Sequence, residues 1–239
     1  MKKISICTPF YKKHEVTDFT FNYYKNLKEE LKNKIEIILI AVGSEGEKSK
    51  KIAENNEYHY IEYPNSPLSQ KSNQLYLKSK EFNVDACLKI DSDSILLKDV
   101  FYLYNDLISQ NVDYFGFLDE YYIMKKNVYH WLGYNENNGP NRIGEPCGVG
   151  RFLSNDLLNK LDWKPFGDYE KDSGMDGILT KRIKLLDLKK RFSFSNKKVF
   201  QLKTDTQITN NRLLLINSVK ENIDVPINIE KINKYLANL

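Results

Sequence analysis

Two carboxylates, one residue apart, end an apolar stretch of the chain. Asp91 and Asp93, with Ser92 between them, follow the apolar segment 85–90. An Asp at the end of a strand can close a turn by hydrogen bonding its side chain to nearby backbone. Paired carboxylates can also supply the closely spaced oxygens that a hard divalent cation binds. The spacing leaves both interpretations open, so the surrounding elements have to decide between them.

Short apolar runs alternate with amphipathic stretches over the first hundred residues. Their spacing predicts strands at 4–10, 35–43, 58–65 and 85–93, separated by helices at 17–34, 45–56 and 68–82. This alternation predicts an α/β fold with a mostly parallel central sheet flanked by helices. In such sheets, ligands bind beyond the carboxyl ends of the strands. We therefore expect Asp91 and Asp93 to face a crevice shared with the ends of the other strands.

Beyond residue 100 the pattern is less regular. It predicts helices at 100–110, 154–161 and 176–188, strands at 112–118 and 197–204, and a loop over 135–150. Ser154 or Asn155 is a good N-cap for the second of these helices. The length of 239 residues and the 41% hydrophobic content fit one α/β domain with a proper core.

Charge and cysteine usage exclude several classes of protein. The net charge of +4 is mild and the charges are interspersed, so we expect no nucleic-acid partner. Cys7, Cys87 and Cys147 are far apart, which argues against a zinc site or a disulfide framework and for a reducing, cytoplasmic compartment. No run approaches the ~20 apolar residues of a membrane span. Peripheral contact with a membrane stays open.

Six motifs occur in an order typical of one enzyme family. They are SICTPFYKK, IILIAVGSEGE, PLSQKSNQLYLKSK, LKIDSDSIL, GVGRFLSNDLLNKL and GMDGILTKRI, and together they span residues 3–190. The set resembles the nucleotide-sugar glycosyltransferases of the GT-A fold, family 2 in particular. The resemblance implies a Rossmann-like single domain, with a donor-binding half (1–100), an acceptor-binding and catalytic half (101–204) and a C-terminal extension (205–239).

The same resemblance implies the substrates of the reaction. A sugar would move from a nucleoside-diphosphate sugar, most simply a UDP-sugar, to a hydroxyl group of a glycan, lipid-linked or protein acceptor. Asp91, Ser92 and Asp93 match the family's Asp-x-Asp motif, which implies Mn²⁺ or Mg²⁺ at the donor diphosphate. Asp93 would be the direct metal ligand, and Asp91 would bind the ribose or a metal-bound water. A cation there would neutralise the charge of the departing nucleoside diphosphate.

Other donor contacts follow from the matched motifs. Ala41 and Val42 stand where the family has two aspartates, so Glu45 is the candidate for the hydrogen bond to the base. Each donor candidate also has a simpler interpretation. Phe10 and Tyr11 could be core aromatics after a proline turn, and Glu45 could be a solvated residue at a helix start, favoured by the helix dipole. Lys71 and Asn73 could belong to an exposed helical face. The positions that the resemblance assigns to the donor are Pro9, Phe10, Tyr11, Glu45, Lys71 and Asn73.

The family's general base is a carboxylate at a helix start, and Asp176 matches that position. Leu179 and Arg182 follow it at the family's spacing, although Met175 replaces the usual Glu. Asp176 would take the proton from the acceptor hydroxyl as its oxygen attacks the anomeric carbon, which inverts the configuration. Asp172 is the competing candidate, and it could instead cap a helix.

Aromatic and cationic residues between the two halves are candidates for the acceptor. Trp131 and Tyr134 could stack on a sugar ring, although Trp131 could equally be core. Arg151 or Arg142 could meet an anionic group. Some of the family complete the metal shell with a late histidine; Gln201 or Lys203 stands there, and Lys203 is a candidate for direct contact with the diphosphate.

Three other functions remain open at this stage. A sugar nucleotidyltransferase would need a Gly-rich loop after the first strand, and TPFYKKHEV has no glycine. A non-catalytic nucleotide- or sugar-binding module would tolerate the loss of the Asp pair after the second strand. A retaining glycosyltransferase would share the same metal site and differ in the configuration of its product.

Overall fold

A seven-stranded sheet forms the centre of the computed structural model, which describes residues 1–124, 127–136, 139–203 and 218–221. Its strand order is β10-β6-β9-β4-β1-β2-β3, and only β9 runs antiparallel to its neighbours. This confirms the predicted α/β fold with a mostly parallel sheet. The strands are β1 (Lys2–Pro9), β2 (Ile35–Gly43), β3 (His59–Glu62), β4 (Ala86–Lys89), β6 (Tyr114–Phe117), β9 (Arg151–Ser154) and β10 (Lys190–Ser193).

Helices cover both faces of this sheet. Because successive side chains of a strand point to opposite faces, Ile4 and Ile6 pack in the same apolar cluster as Phe21 of α1, whereas Cys7 packs with Leu75 of α3. All three cysteines are free and buried. The helices are α1 (His14–Leu31), α2 (Glu47–Asn55), α3 (Leu68–Lys80), α4 (Lys98–Ser109), α5 (Asn155–Lys160) and α6 (Met175–Lys184), with a 3₁₀ turn at Pro140–Arg142.

A second, five-stranded sheet lies beside the first. It has the order β12-β8-β7-β11-β5 and consists of β5 (Ser94–Leu96), β7 (Glu120–Met124), β8 (Asn127–Trp131), β11 (Val199–Lys203) and β12 (Ser218–Glu221). The sequence pattern predicts neither the β7–β8 hairpin nor β10, because their apolar and polar residues do not alternate regularly. The rest of the predicted C-terminal extension, 205–217 and 222–239, lies outside the described residues.

The Asp-Ser-Asp segment joins the two sheets. The predicted strand 85–93 ends as β4 at Lys89, and β5 begins at Ser94 in the other sheet. The Ser94 amide donates to the Asp91 carbonyl (3.0 Å), and the Leu202 amide of β11 donates to the Asp93 carbonyl (2.7 Å). The segment is therefore a hydrogen-bonded turn as well as a carrier of two carboxylates. No helix among the described residues is long and apolar enough to cross a membrane.

Candidate functional site

A cavity of about 500 Å³ opens where the strand ends meet. Its walls come from the turn after β1, the segment before α3, the Asp-Ser-Asp turn and β11, so the predicted convergence of strand ends is confirmed. The volume is within the usual range for small-molecule sites. The charged residues of the walls are Lys13, Lys71, Lys203, Asp91, Asp93 and Asp172.

Lys71 ties three of the converging segments together. Its ammonium group donates to the Phe10 carbonyl (2.7 Å), Ser44 Oγ (3.1 Å) and Asn65 Oδ1 (3.1 Å). Burial lowers the pKa of Lys71 to about 8. All three donors of the ammonium group are in use, so Lys71 holds the cavity's frame and contributes its charge from within the wall.

Both carboxylates of the motif carry ammonium partners. Asp93 is only 6% exposed, and its Oδ2 lies 3.2 Å from Lys13 Nζ and 3.9 Å from Lys203 Nζ. Asp91 Oδ1 lies 2.7 Å from Nζ of Lys89, a lysine inside β4. Burial by itself would raise the pKa of Asp93, but Lys203 and Lys13 outweigh it and hold the pKa below its usual value. Asp93 is therefore ionised at neutral pH.

These residues fit a divalent cation poorly. Carboxylate oxygens are the donors that Mg²⁺ or Mn²⁺ would choose. However, each carboxylate is already engaged by a lysine, and β11 offers Gln201 and Lys203 where a further ligand would stand. Over 1–124, 127–136, 139–203 and 218–221, no three His, Cys, Asp or Glu side chains form a group that could hold a metal. The metal assignment of Asp91 and Asp93 stays a prediction.

The turn after β1 presents one aromatic ring to the cavity and buries another. Pro9, Phe10 and Tyr11 all line it. Phe10 is buried, with its ring 5.4 Å from that of Phe21, whereas Tyr11 is 41% exposed. Lys12 and Lys13 then adopt left-handed backbone conformations (φ 55° and 51°), which non-glycine residues rarely do. This strained turn aims Lys13 at Asp93.

Glu45 stabilises this turn from outside the cavity. It accepts from the Lys12 amide (2.7 Å) and from His14 Nε2 (2.9 Å). Glu45 thus fixes the turn, and its expected hydrogen bond to the base stays a prediction. Asn73 is likewise not among the cavity-lining residues: it donates to the Gly167 carbonyl (2.8 Å) and accepts from the Phe166 amide (3.1 Å).

Asp176 lies half-buried among cations, in the first turn of α6. Arg151 Nη1 lies 2.8 Å from Oδ1, and Arg142 Nη2 lies 3.5 Å from Oδ2. Arg151 is 2% exposed and also donates to the carbonyls of Cys147 and Pro146. Burial opposes ionisation of Asp176, but Arg151, Lys89 and Arg142 hold its pKa below the usual value. Asp176 is not part of the cavity wall, but it shares Lys89 with Asp91.

Asp172 has a different position and different partners. It lines the cavity, where Oδ1 accepts from the Leu68 amide (2.8 Å) and Oδ2 from Ser66 Oγ (2.9 Å). Leu68 is the first residue of α3, so Asp172 caps that helix from a distant loop. The two base candidates therefore differ: Asp172 is used by the fold, and Asp176 is held by arginines.

The aromatic residues expected at the acceptor are mostly covered. Trp131 is 2% exposed and packs edge-on against Tyr134, with ring centroids 5.1 Å apart, so it belongs to the core. Tyr134 is half-buried, and its ring stacks under the Arg142 guanidinium at 3.9 Å. Tyr134 and Arg142 therefore form one edge of the Asp176 cluster, and Trp131 supports it from below.

One carboxyl group behind the cavity, that of Glu120, could not be predicted from the sequence pattern. Glu120 of β7 is buried; it accepts from Tyr122 Oη (2.8 Å) and from Nε2 of the wall residue Gln201 (2.7 Å). Burial raises the pKa of Glu120 to about 7, with added repulsion from Asp91 and Asp93 and partial relief from Lys203. Lys89 was also missed, although a lysine inside an apolar strand could have indicated it. Glu120 gives no such signal.

The comparisons with known proteins bear on the fold. No protein-family model matches the sequence, and no curated protein matches it. Staphylococcus aureus TarS 1–349 in complex with UDP superposes with a TM-score of 0.57 at 14% identity, covering 100% of this chain and 70% of that one. In another TarS 1–349 structure the TM-score is 0.52, and the match covers 86% of this chain and 58% of that one, less than two-thirds of its length.

Two further solved structures extend the comparison. A Drosophila β1,4-galactosyltransferase 7 mutant in complex with manganese, UDP-Gal and xylobiose superposes with a TM-score of 0.54 at 9% identity, covering 98% and 80% of the two chains. A 4-diphosphocytidyl-2C-methyl-D-erythritol synthase from Anaerococcus prevotii reaches 0.50 at 15% identity, covering 87% and 94%. At such identities the likeness establishes the fold. The chain has a GT-A-like fold, the fold of the nucleotide-sugar glycosyltransferases that the motifs resemble.

Proposed function

We propose that this chain is a glycosyltransferase that binds a nucleoside-diphosphate sugar in the 500 Å³ cavity and transfers the sugar to a hydroxyl group. One observation carries the proposal: three lysines and the exposed face of Tyr11 line a cavity at the carboxyl ends of parallel strands. An anionic ligand with a flat base suits such walls, since ammonium groups pair with phosphate and an aromatic face stacks on a base. A UDP-sugar is the first donor to test.

Asp176 is the proposed general base. Its carboxylate is ionised because Arg151, Lys89 and Arg142 outweigh the effect of burial. In the reaction, the acceptor oxygen bonds to the anomeric carbon, its proton passes to Asp176, and the bond to the nucleoside diphosphate breaks on the opposite face. This route inverts the configuration at that carbon. Asp172 is the weaker choice because its hydrogen bonds to the Leu68 amide and the Ser66 hydroxyl serve the start of α3, whereas the motif match falls on Asp176.

Arg142 and Tyr134 are proposed to meet the acceptor. They lie beside Asp176 at the edge of the cluster, whereas Arg151 lies beneath it and orients the carboxylate. The acceptor class is proposed only as a hydroxyl group on a glycan, lipid-linked or protein molecule. The metal requirement that the resemblance implies is a separate prediction, and no step above depends on it.

The test separates donor binding from catalysis. Binding is measured as a rise in melting temperature with UDP-, GDP-, CDP- and TDP-sugars, because a ligand that binds only the folded state stabilises it. Catalysis is measured as release of the nucleoside diphosphate with water as the acceptor, so that the natural acceptor need not be known. We expect Asp176→Asn to bind the donor normally and to lose release.

The matched control is Asp168→Asn, because Asp168 has a side chain that is 94% exposed in the loop before α6. It should behave as the unmodified protein in both assays. Donor binding without release in the unmodified protein would favour a non-catalytic binding module. A failure of all four nucleotides to bind would refute the proposal. The synthase match leaves a nucleotidyltransferase as the second candidate, which would instead release pyrophosphate from a nucleoside triphosphate.

A further inference from the structure

The charges around the Asp-Ser-Asp turn are already more than balanced. Three ammonium groups lie at ion-pair distance from its two carboxylates: Lys13 and Lys203 at Asp93, and Lys89 at Asp91. They come from three separate elements, the turn before α1, strand β11 and strand β4. The five groups together carry a net charge of +1. The turn therefore carries the positive charge that a diphosphate needs, without an added metal ion.

A divalent cation would have to compete with these lysines. It would need the Asp93 carboxylate, whose Oδ2 lies 3.2 Å from Lys13 Nζ and 3.9 Å from Lys203 Nζ. The metal ion and the two ammonium groups would repel each other strongly at such distances in a largely buried site. Two carboxylates would supply only part of its coordination shell, so phosphate oxygens of the donor and water would have to supply the rest.

No histidine is placed to add a protein ligand to the two carboxylates. The sequence holds three histidines, and each is engaged away from the cavity. His14 contacts Glu45, His59 lies against the ring of Phe82, and His130 lies between Asp119 and Glu221. Lys203 of β11 lines the wall where the resembling family places its late histidine. The metal-binding histidine of the family is thus replaced in this chain by a positively charged lysine.

We infer that Lys13 and Lys203, rather than a divalent metal ion, neutralise the donor diphosphate, and that Asp93 holds both lysines until the nucleotide binds. This inference rests on the proposed function. Lysine carries its charge on a flexible four-carbon stem, so its ammonium group can turn from Asp93 to a phosphate oxygen. Lys13 has a 37% exposed side chain and can do so without disturbing the core. Lys71 is not in this pair, since its three donors are already bonded within the wall.

The first experiment measures the Kd of UDP, GDP, CDP and TDP by calorimetry, once in EDTA and once in excess Mn²⁺. We expect the best of these nucleotides to bind in EDTA within about threefold of its Kd in Mn²⁺. Lys13→Met and Lys203→Met should each weaken that binding by about tenfold in EDTA, because each removes a charge-assisted contact. Lys98→Met, which breaks an ion pair with Glu30 on another face, should leave the Kd unchanged.

Asp93→Asn is the most informative variant, because the two mechanisms predict opposite changes in nucleotide affinity. If the carboxylate holds a metal ion, the substitution abolishes nucleotide binding. If it holds the two lysines, the substitution releases them, and binding in EDTA is retained or strengthened. Asparagine has nearly the same shape, and the melting temperature of the variant shows that it has folded.

The outcomes separate this inference from the proposed function. Binding that requires Mn²⁺, or binding in EDTA that Asp93→Asn abolishes in the folded variant, would overturn the inference and leave the glycosyltransferase proposal standing. No binding by any nucleotide under either condition would overturn both. Binding in EDTA that depends on Lys13 and Lys203 and survives Asp93→Asn would establish it.

Discussion

Replacing the buried carboxyl group behind the cavity should stabilise the protein in a pH-dependent way. Glu120 accepts hydrogen bonds from Tyr122 and Gln201 and has a pKa raised to about 7 by burial. Glu120→Gln keeps the length and shape of the side chain and removes the charge. Its oxygen can accept from Tyr122, and its amide group can donate to Gln201 once the amide of Gln201 turns over.

The magnitude follows from the difference between the folded and unfolded states. In the unfolded chain, Glu120 titrates near 4.5, so between pH 4.5 and 7 the folded state binds more protons than the unfolded state. A raised pKa contributes stability below 4.5, and this contribution is lost as the pH rises through 7. At about 1.4 kcal/mol for each tenfold change in proton affinity, the loss is about 3 kcal/mol. Glu120→Gln has no such loss.

The assay is urea unfolding of both proteins at pH 4.5 and at pH 8. We expect the free energy of unfolding of Glu120→Gln, relative to the unmodified protein, to rise by about 3 kcal/mol between these two pH values. Other titrating groups cancel in this difference. Glu54→Gln, an exposed position on α2, is the control and should show no pH-dependent difference. A flat difference for Glu120→Gln would refute the reasoning.

Three further substitutions test the architecture of the site. Arg151→Met removes the buried partner of the half-buried Asp176 and two hydrogen bonds to carbonyls, so it should cost about 3–5 kcal/mol in urea unfolding. A cost below about 1 kcal/mol, as for a surface ion pair, would contradict this role of Arg151. Gly150→Ala should cost about 1–3 kcal/mol in urea unfolding, since φ is +69° and the new Cβ would lie 2.9 Å from Tyr104 Oη. Its control is Gly177→Ala on α6, where the new Cβ meets open space; this variant should be neutral or more stable. Asp172→Ala should lower the unfolding free energy by about 1 kcal/mol through the lost cap on α3, and Asp172→Asn should cost less; equal losses would argue against the cap.

Periodicity was sufficient to predict five strands of the first sheet and the edge that carries the site, but not β9 or β10. The strand ends at Pro9, Gly43 and the Asp-Ser-Asp turn meet as expected, because alternating strands and helices allow few topologies. In the second sheet the same reasoning predicted β11, at 197–204, but not the β7–β8 hairpin. Strand β7 is almost entirely apolar or aromatic apart from Glu120, and a glutamate at the start of a strand normally indicates exposure.

Individual side chains were harder to predict than the elements that carry them. Trp131 and Asn73 have types that recognise ligands, yet one packs in the core and the other holds a turn, and only three-dimensional packing distinguishes these uses. Lys13 follows a proline turn in a stretch that looks solvated. Its left-handed backbone, which aims it at Asp93, is invisible in the sequence because lysine is not a residue that favours that conformation.

The position of the Asp-Ser-Asp turn between the two sheets also affects how the protein unfolds. A ligand that fills the cavity would contact Lys71 and Tyr11 on the side of the large sheet and Lys203 on the side of the small one. Such a ligand would bridge the two sheets beside the Asp-Ser-Asp turn, where the chain passes from β4 in one sheet to β5 in the other. We therefore expect a bound ligand to couple the unfolding of the two sheets, so that amide exchange in strands β7 and β8 slows when the cavity is occupied.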